Sequence, residues 1–385
     1  MDDMNVYHEW GQSALESSLP STYHGIYFPV QYQVLEVCTW IAATSGADFV
    51  PVLKLSNLLF DVGSFGLLVL LLKRQGSNPA YALLYWLHPW FLSIFSLGYI
   101  DFQFTWFVLL SIYLLRQETA RDYLLAGVPL GVAFLMKPQA QILLIASFIY
   151  FLVHYARTRN AWPLGLMAFP ILLFIGYEVY FTISLFSAAG FDALRKLPSS
   201  YLNVTNVMPA LNAQMPNIWY PIAYFMKRPG DRIFAISDQI HLLPGISAKY
   251  LAAAVVLGLV ALHVSRVERR GELPIRDKFV SMFGFASVAV PFLMTSAHEN
   301  HLFLGSVFLV LFTAGRLSLP LRVATHILLI MQFLNIYGLY GRHPYWLGRL
   351  LRDAYEVKYV PLAYSLISVA CFVVILRSIW RGHNR

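Results

Sequence analysis

Residues 296–301 read SAHENH and set His298, Glu299, Asn300 and His301 side by side between two apolar runs. Four polar side chains left unpaired in lipid would be costly, so such a cluster belongs at a membrane surface or along a polar cavity. The histidines are three apart, whereas the helical zinc signature spaces them four apart with a glutamate beside the first, and no third ligand is evident. Helix-start amides beside a histidine suit an anion, so phosphate is favoured over metal and no metal is assigned. Two further turns carry comparable groups. GYIDFQF holds Asp101 and Gln103, which suit sugar hydroxyls or are simply the solvated tip of a hairpin. LMKPQAQ holds Lys137 and Gln139 at a proline-initiated helix start, and a lysine with neighbouring amides suits phosphate, with snorkelling to the interface as the ordinary alternative. DDMNVYHEW begins with Asp2 and Asp3 ahead of an amphipathic segment in which Tyr7 and Trp10 share a helical face. One of these carboxylates fits a general base, and a solvated N-cap pair is the plainer reading. The stretch 201–222, which includes Asn212 and Trp219, offers amides for sugar hydroxyls and rings for sugar faces, or ordinary turn chemistry.

The elements that must position these groups are membrane spans. Of the 385 residues 58% are hydrophobic and 12% are charged, against roughly a quarter charged in a soluble domain. The fold class is therefore an all-α polytopic membrane protein. Apolar runs at 50–72, 79–99, 102–116, 123–136, 138–155, 162–186, 247–265, 279–296, 301–316, 320–341 and 358–377 predict about eleven transmembrane helices. The run 28–46 carries Gln31, Gln33 and Glu36 early and is expected to lie on the membrane as an interfacial helix. With it kept out of the bilayer, the short basic connectors (Lys73 and Arg74, Arg116 and Arg121, Arg157 and Arg159, Arg266 to Lys278, Arg316 and Arg322, Arg377 to Arg385) all fall on one side, as the positive-inside rule requires. The chain is then one transmembrane domain, 1–385, with a first extracytoplasmic loop at 1–49 and a long one at 187–246. Every polar turn named above faces outward. Runs 102–116 and 123–136 would rise only about 21 to 23 Å against a hydrocarbon core of about 30 Å. Asp101 and Lys137 are thus expected in an outward-opening recess.

The net charge of +8 points to anionic lipid or an anionic substrate. No nucleic-acid signature is present, and Cys38 and Cys371 imply no disulfide framework. Asp61 and Glu178 lie within apolar runs and are expected to face the bundle interior.

Taken in order, DMNVYHEW, LHPWFLSIFSLGYIDFQF, LMKPQAQILL, YLNVTNVMPALNAQMPNIW and AHENHLF resemble the GT-C superfamily of polyprenyl-phosphate-sugar-dependent glycosyltransferases. The likeness is to the bacterial and archaeal proteins related to the second GPI-anchor mannosyltransferase, with a weaker one to the dolichyl-phosphate-glucose glucosyltransferases. It spans nearly the whole chain. The resemblance implies a GT-C-like bundle, with Asp3 as catalytic base and Asp2 beside it. It matches Lys137 to the family's lysine and His298 and Glu299 to its His-Glu turn, so Lys137 and His298 are expected at the donor phosphate, with His301 or Lys137 in place of the family's third, basic residue. From their residue types Asp101, Gln103, Gln139, Glu299, Asn212 and Trp219 are expected around the sugar and acceptor. Two departures stand out: the family's His-Glu-Arg or His-Glu-Lys turn ends here in Asn300, and its DYPP stretch appears as IYFPVQ. Relatives carry a transmembrane helix ahead of the acidic loop, so a preceding helix is expected.

The expected function is inverting transfer of a hexose, mannose foremost, from a polyprenyl-phosphate-linked donor to a lipid-linked or glycan acceptor. The site would open on the extracytoplasmic face of a multi-pass protein, surrounded by membrane lipid and without cofactor. The alternatives are a transporter or flippase for a lipid-linked saccharide, and a catalytically dead homologue acting as a binding subunit.

Overall fold

The computed structural model describes residues 3–17, 27–160, 209–227, 233–269, 273–315, 318–340 and 359–381, with isolated positions between 162 and 180 and position 353. The described residues are mostly helical. Among them, five helices are long and apolar enough to cross a membrane: Phe49–Arg74, Pro138–Thr158, Ala248–Arg269, Leu319–Tyr340 and Val360–Trp380. The other runs read as crossings form shorter helices, except that 162–186 lies largely outside the described residues. The chain divides into two compact units, Met1–Leu67 with Phe95–Val207 and Glu272–Phe279, and Leu68–Ile94 with Met208–Gly271 and Val280–Arg385.

In the first unit, α1 (Asp3–Ser17) lies along α2 (Pro29–Ser45). Tyr7, Gly11 and Ala14 fall on one face of α1 at helical spacing and are buried. The approach is close: a Cβ on Gly11 would stand 2.7 Å from the Leu35 carbonyl oxygen. Helix α2 has Pro29 in its first turn, where a missing N–H is harmless, and stops at left-handed Gly46 with φ 69°. Its Leu35, Cys38 and Ala42 form an apolar cluster with Tyr7, Phe49, Leu53 and Ile100. Val37, Trp40 and Ile41 remain exposed on another face of α2. Helix α3 (Phe49–Arg74) follows.

Helices α6 (Asp101–Leu114) and α7 (Ala120–Phe134) pack on each other as a hairpin. Thr119 and Asp122 cap α7 reciprocally: the Thr119 hydroxyl accepts from the Asp122 N–H, and the Asp122 carboxylate accepts from the Thr119 N–H. Fourteen and fifteen residues correspond to about 21 and 22 Å, short of the roughly 30 Å hydrocarbon core, as the sequence led one to expect. After α7 the chain turns at Lys137, whose backbone is extended at φ −138°, ψ 137°, the conformation a following proline favours. A 3₁₀ turn, Pro138–Ala140, leads into α8 (Gln141–Thr158).

In the second unit the run 79–99 does not continue as one helix. A 3₁₀ turn at Pro79–Tyr81 leads into α4 (Ala82–Leu87), which ends at His88, and α5 (Pro89–Ser96) begins anew. Pro89 offers no N–H to the preceding turn and holds His88 extended at ψ 130°. Beyond α9 (Trp219–Met226), a two-stranded hairpin pairs β1 (His241–Leu243) with β2 (Ile246–Ser247) and precedes α10 (Ala248–Arg269). Helix α11 (Ile275–Leu293) enters this unit at Val280. The run 301–316 opens as a 3₁₀ turn, Glu299–Leu302, and becomes α12 (Phe303–Ala314). Every residue of α12 is buried, as befits a helix apolar all round. A Cβ on Gly305 would stand 2.6 Å from the Ser287 carbonyl oxygen, so α12 needs glycine to approach α11. Helices α13 (Leu319–Tyr340) and α14 (Val360–Arg381) pack along one another.

Candidate functional site

Each unit holds one group of the residues singled out from the sequence. In the first unit the group centres on an ion pair: Lys137 Nζ donates to Asp101 Oδ1 at 2.7 Å, and both residues are 1% exposed. The pair forms because two chain reversals meet. Asp101 opens α6, and Lys137 is presented by the extended residue that Pro138 enforces. The Lys137 ammonium lies 5.7 Å from the ring centres of both Tyr27 and Phe104, aromatic faces that favour a cation. The backbone N–H of Phe28 donates to Met136 O at 3.3 Å and that of Val30 to Leu135 O at 3.1 Å, fastening the entry of α2 to the lysine turn.

Gln103, expected as a sugar ligand, is fully buried in an amide chain. It accepts from Gln31 Nε2 at 2.9 Å and donates to Asn57 Oδ1 at 2.9 Å; Asn57 in turn donates to Tyr99 O at 3.1 Å. This chain joins α2 and α3 to the first turn of α6, the helix that Asp101 opens. Gln139 follows Lys137 in the 3₁₀ turn, and its Oε1 is buried with no protein hydrogen-bond partner among the described residues.

The start of α1 meets the turn that leads into Asp101. Asp2 lies outside the described residues, and α1 opens at Asp3. The next residue, Met4, packs over Gly98, where a Cβ would stand 2.8 Å from Met4 Cε. Gly98 has φ +75°, a left-handed conformation that favours glycine, and it lies three residues before Asp101. Tyr7, one turn further along α1, shares an apolar cluster with Ile100. The N-terminal end of α1 is therefore seated on the turn that leads into Asp101.

The second unit gathers His298, Glu299, His301 and the loop around Asn212. The Tyr340 hydroxyl donates to Glu299 Oε1 at 2.5 Å, and His298 Nδ1 stands 4.0 Å from Glu299 Oε2. The His298 N–H donates to His301 Nδ1 at 3.2 Å. A neutral His301 ring then carries its proton on Nε2, which makes that atom a donor. Glu299 and Asn300 are buried, while both histidines are partly exposed. Backbone bridges join Ala213 and Gln214 to His298, and Asn335 Nδ2 donates to Gln214 O at 3.0 Å. Gln214 (φ 73°) and Ser296 (φ 56°) are both left-handed without being glycine, a conformation that concentrates at functional sites.

The amide of Asn212 and the indole of Trp219, expected at the sugar, are engaged in holding this loop. Asn212 Nδ2 donates to Met215 O at 2.7 Å and to Asn217 Oδ1 at 2.8 Å, and its Oδ1 accepts from the Gln214 N–H at 2.9 Å. Trp219 Nε1 donates to Leu293 O at 2.7 Å, leaving a 5% exposed ring.

Two residues here escaped the sequence reading. Asn217 opens α9: its Oδ1 also accepts from the Trp219 N–H at 2.9 Å, its Nδ2 donates to Pro291 O at 3.0 Å, and its own carbonyl accepts from Ser365 Oγ at 2.7 Å. Asp238 is fully buried and accepts from the Thr295 hydroxyl at 3.3 Å and from Gln239 Nε2 at 3.1 Å. The Ser296 hydroxyl donates to Ala210 O at 3.0 Å with Asp238 Oδ2 3.3 Å away. A lone acid between Ile236 and Ile240 was the signal available for Asp238.

Among the described residues no three His, Cys, Asp or Glu side chains converge to hold a metal ion. The chemistry on offer is a buried cation partnered by a carboxylate in one unit, and an imidazole pair with a tyrosine-bound carboxylate in the other. No protein-family model and no curated protein matches the chain.

Proposed function

We propose that this chain is a membrane glycosyltransferase that moves a hexose from a polyprenyl phosphate to a lipid-linked or glycan acceptor. The observation that carries the proposal is the seating of α1, which begins at Asp3, on the Gly98–Ile100 turn leading into the buried Asp101–Lys137 pair. A helix whose first residue is an acid, seated on the turn that leads to a buried cation from a distant part of the sequence, suits a reaction that removes a proton from one partner and charge from the other. In this reading Asp3 takes the acceptor hydroxyl proton. The acceptor oxygen bonds to the anomeric carbon as the carbon–oxygen bond to phosphate breaks, inverting the centre, and polyprenyl phosphate leaves as the anion.

Lys137 keeps two further ammonium donors for that phosphate beyond the one given to Asp101. In the second unit, His298 and the Nε2 donor of His301 are that unit's own donors for an anion. Asp101 acts by holding Lys137, and Gln103 by holding the helix start, so neither needs to touch the sugar. Gln139 and Glu299 remain the sugar or acceptor contacts of the proposal. About eleven crossings in a GT-C-like bundle, with α2 lying at the interface and the site on the extracytoplasmic side, complete it. The exposed Val37, Trp40 and Ile41 on α2 suit an interfacial position.

The test uses full-length protein with radiolabelled polyprenyl-phosphate-mannose and membrane glycolipids, comparing wild type with Asp3→Asn. Labelled glycolipid from wild type alone supports the reading; equal product from both removes Asp3 from its role. Uptake of lipid-linked saccharide with no product from any activated sugar would replace transfer by transport.

A further inference from the structure

Gln332 lies near the middle of α13, fully buried, and neither its Oε1 nor its Nε2 has a hydrogen-bond partner among the described residues. An apolar side chain of the same length would fill that space without stranding an amide. Buried hydroxyls of the same unit share this state: Ser306 on α12, Thr325 two turns before Gln332 on α13, and Ser287 on α11. They contrast with Thr313, whose hydroxyl folds back to donate to Val310 O at 3.0 Å.

Position along α13 links Gln332 to the polar cluster. Asn335, one turn toward the C-terminal end, donates to Gln214 O, and Gln214 is bridged to His298; Tyr340, beyond it, donates to Glu299. At 1.5 Å per residue Gln332 stands about 4.5 Å below Asn335 and about 12 Å below Tyr340 along the axis. Segments 280–293, 302–314 and 323–340 contain no Asp, Glu, Lys or Arg. His326, six residues before Gln332, is exposed, so these segments offer a group at this depth no buried counter-charge. To satisfy the amide that group must both donate and accept. Adjacent hydroxyls on a sugar ring do so, one receiving from Nε2 and the other giving to Oε1.

We propose that Gln332 determines sugar specificity by holding an adjacent pair of hydroxyls of a hexose. The inference rests on the reading that the chain handles a lipid-linked sugar. The hexose belongs either to the phosphate-linked donor or to the acceptor glycolipid.

Binding to full-length protein in lipid nanodiscs separates the sources. The probes are a polyprenyl-phosphate-hexose, its monodeoxy analogues, free polyprenyl phosphate and a neutral hexosyl-diacylglycerol, each tested on wild type and Gln332→Met. The Met variant is expected to unfold at the same temperature as wild type or a higher one and to bind polyprenyl phosphate unchanged. Its Kd for one of the two sugar lipids should rise about ten- to a hundredfold. Where that lipid is the donor, the two deoxy analogues that lack a hydroxyl of that pair should each show a smaller difference in Kd between wild type and the Met variant than the intact donor does. Unchanged Kd values in a folded Met variant overturn the inference, and so does wild type that binds neither sugar lipid. If the Met variant fails to fold, wild type alone decides between phosphate and sugar: equal affinity for free polyprenyl phosphate, the donor, every deoxy analogue and the neutral glycolipid overturns it. Sugar-lipid binding that depends on Gln332 without transfer would leave this inference standing and remove the transferase reading.

Discussion

Replacing Asp101 by Leu would leave the Lys137 ammonium inside the protein with its carboxylate gone. At 2.7 Å two unit charges attract by roughly 6 kcal/mol for an effective dielectric of about 20, before desolvation is subtracted. Removing one member of such a buried pair costs about 3–5 kcal/mol, whereas replacing both with apolar groups is often neutral or stabilising. Asp101→Leu and Lys137→Met should therefore each lower stability by about 3–5 kcal/mol, and the double variant should return to within about 1 kcal/mol of wild type. The coupling energy is then about 5 kcal/mol or more. Equilibrium unfolding in mixed micelles, with thermal unfolding as a second probe, completes the cycle. Singles that sum to the double within about 0.5 kcal/mol would refute the pairing argument. Activity distinguishes a second role: all three variants should fail to transfer sugar, because the refolded double variant still lacks the cation assigned to phosphate. Full activity in the double variant would confine Lys137 to structure.

Asp3→Asn should lower turnover by about 10² to 10⁴ with no change in unfolding temperature, measured by product formation and by thermal unfolding of the same preparation. Gly98→Ala should cost about 1–2 kcal/mol, since alanine disfavours φ +75° and its Cβ meets Met4; faster proteolysis within residues 3–17 would report the loosened α1. Gln103→Leu strands Gln31 and Asn57 and should lower stability by about 2–4 kcal/mol in the unfolding assay. Asn217→Ala should destabilise by a similar amount and expose Trp219, seen as a red shift in tryptophan fluorescence that the wild type lacks.

Much of the architecture was legible because it depends on short-range periodicity and composition. The apolar runs predicted helices where the described residues have them, and the shortness of α6 and α7 followed from counting residues between polar turns. The run 79–99 was misread as continuous. Hydropathy averages over His88–Pro89, while the backbone responds to the one missing N–H there.

Asp101, Gln103 and Lys137 were recognised as unusual residues, yet only as separate ligands. Their partnerships depend on which turns fold against each other: Lys137 and Asp101 are 36 residues apart, and Gln103 reaches Asn57 and Gln31, 46 and 72 residues away. The same holds for Asp238, which meets Thr295 from 57 residues away, and for Gln332, whose distinction is the absence of a partner among the described residues. The amino-acid order determined a largely helical chain with helices long and apolar enough to cross a membrane, and where its hydrophilic side chains interrupt the apolar runs, because those properties are set by each residue and its near neighbours. Which of those side chains neutralise one another, and which are left without a hydrogen-bond partner among the described residues, was decided by tertiary structure. Charge pairing and hydrogen bonding act over a few ångströms in space, whatever their separation along the chain.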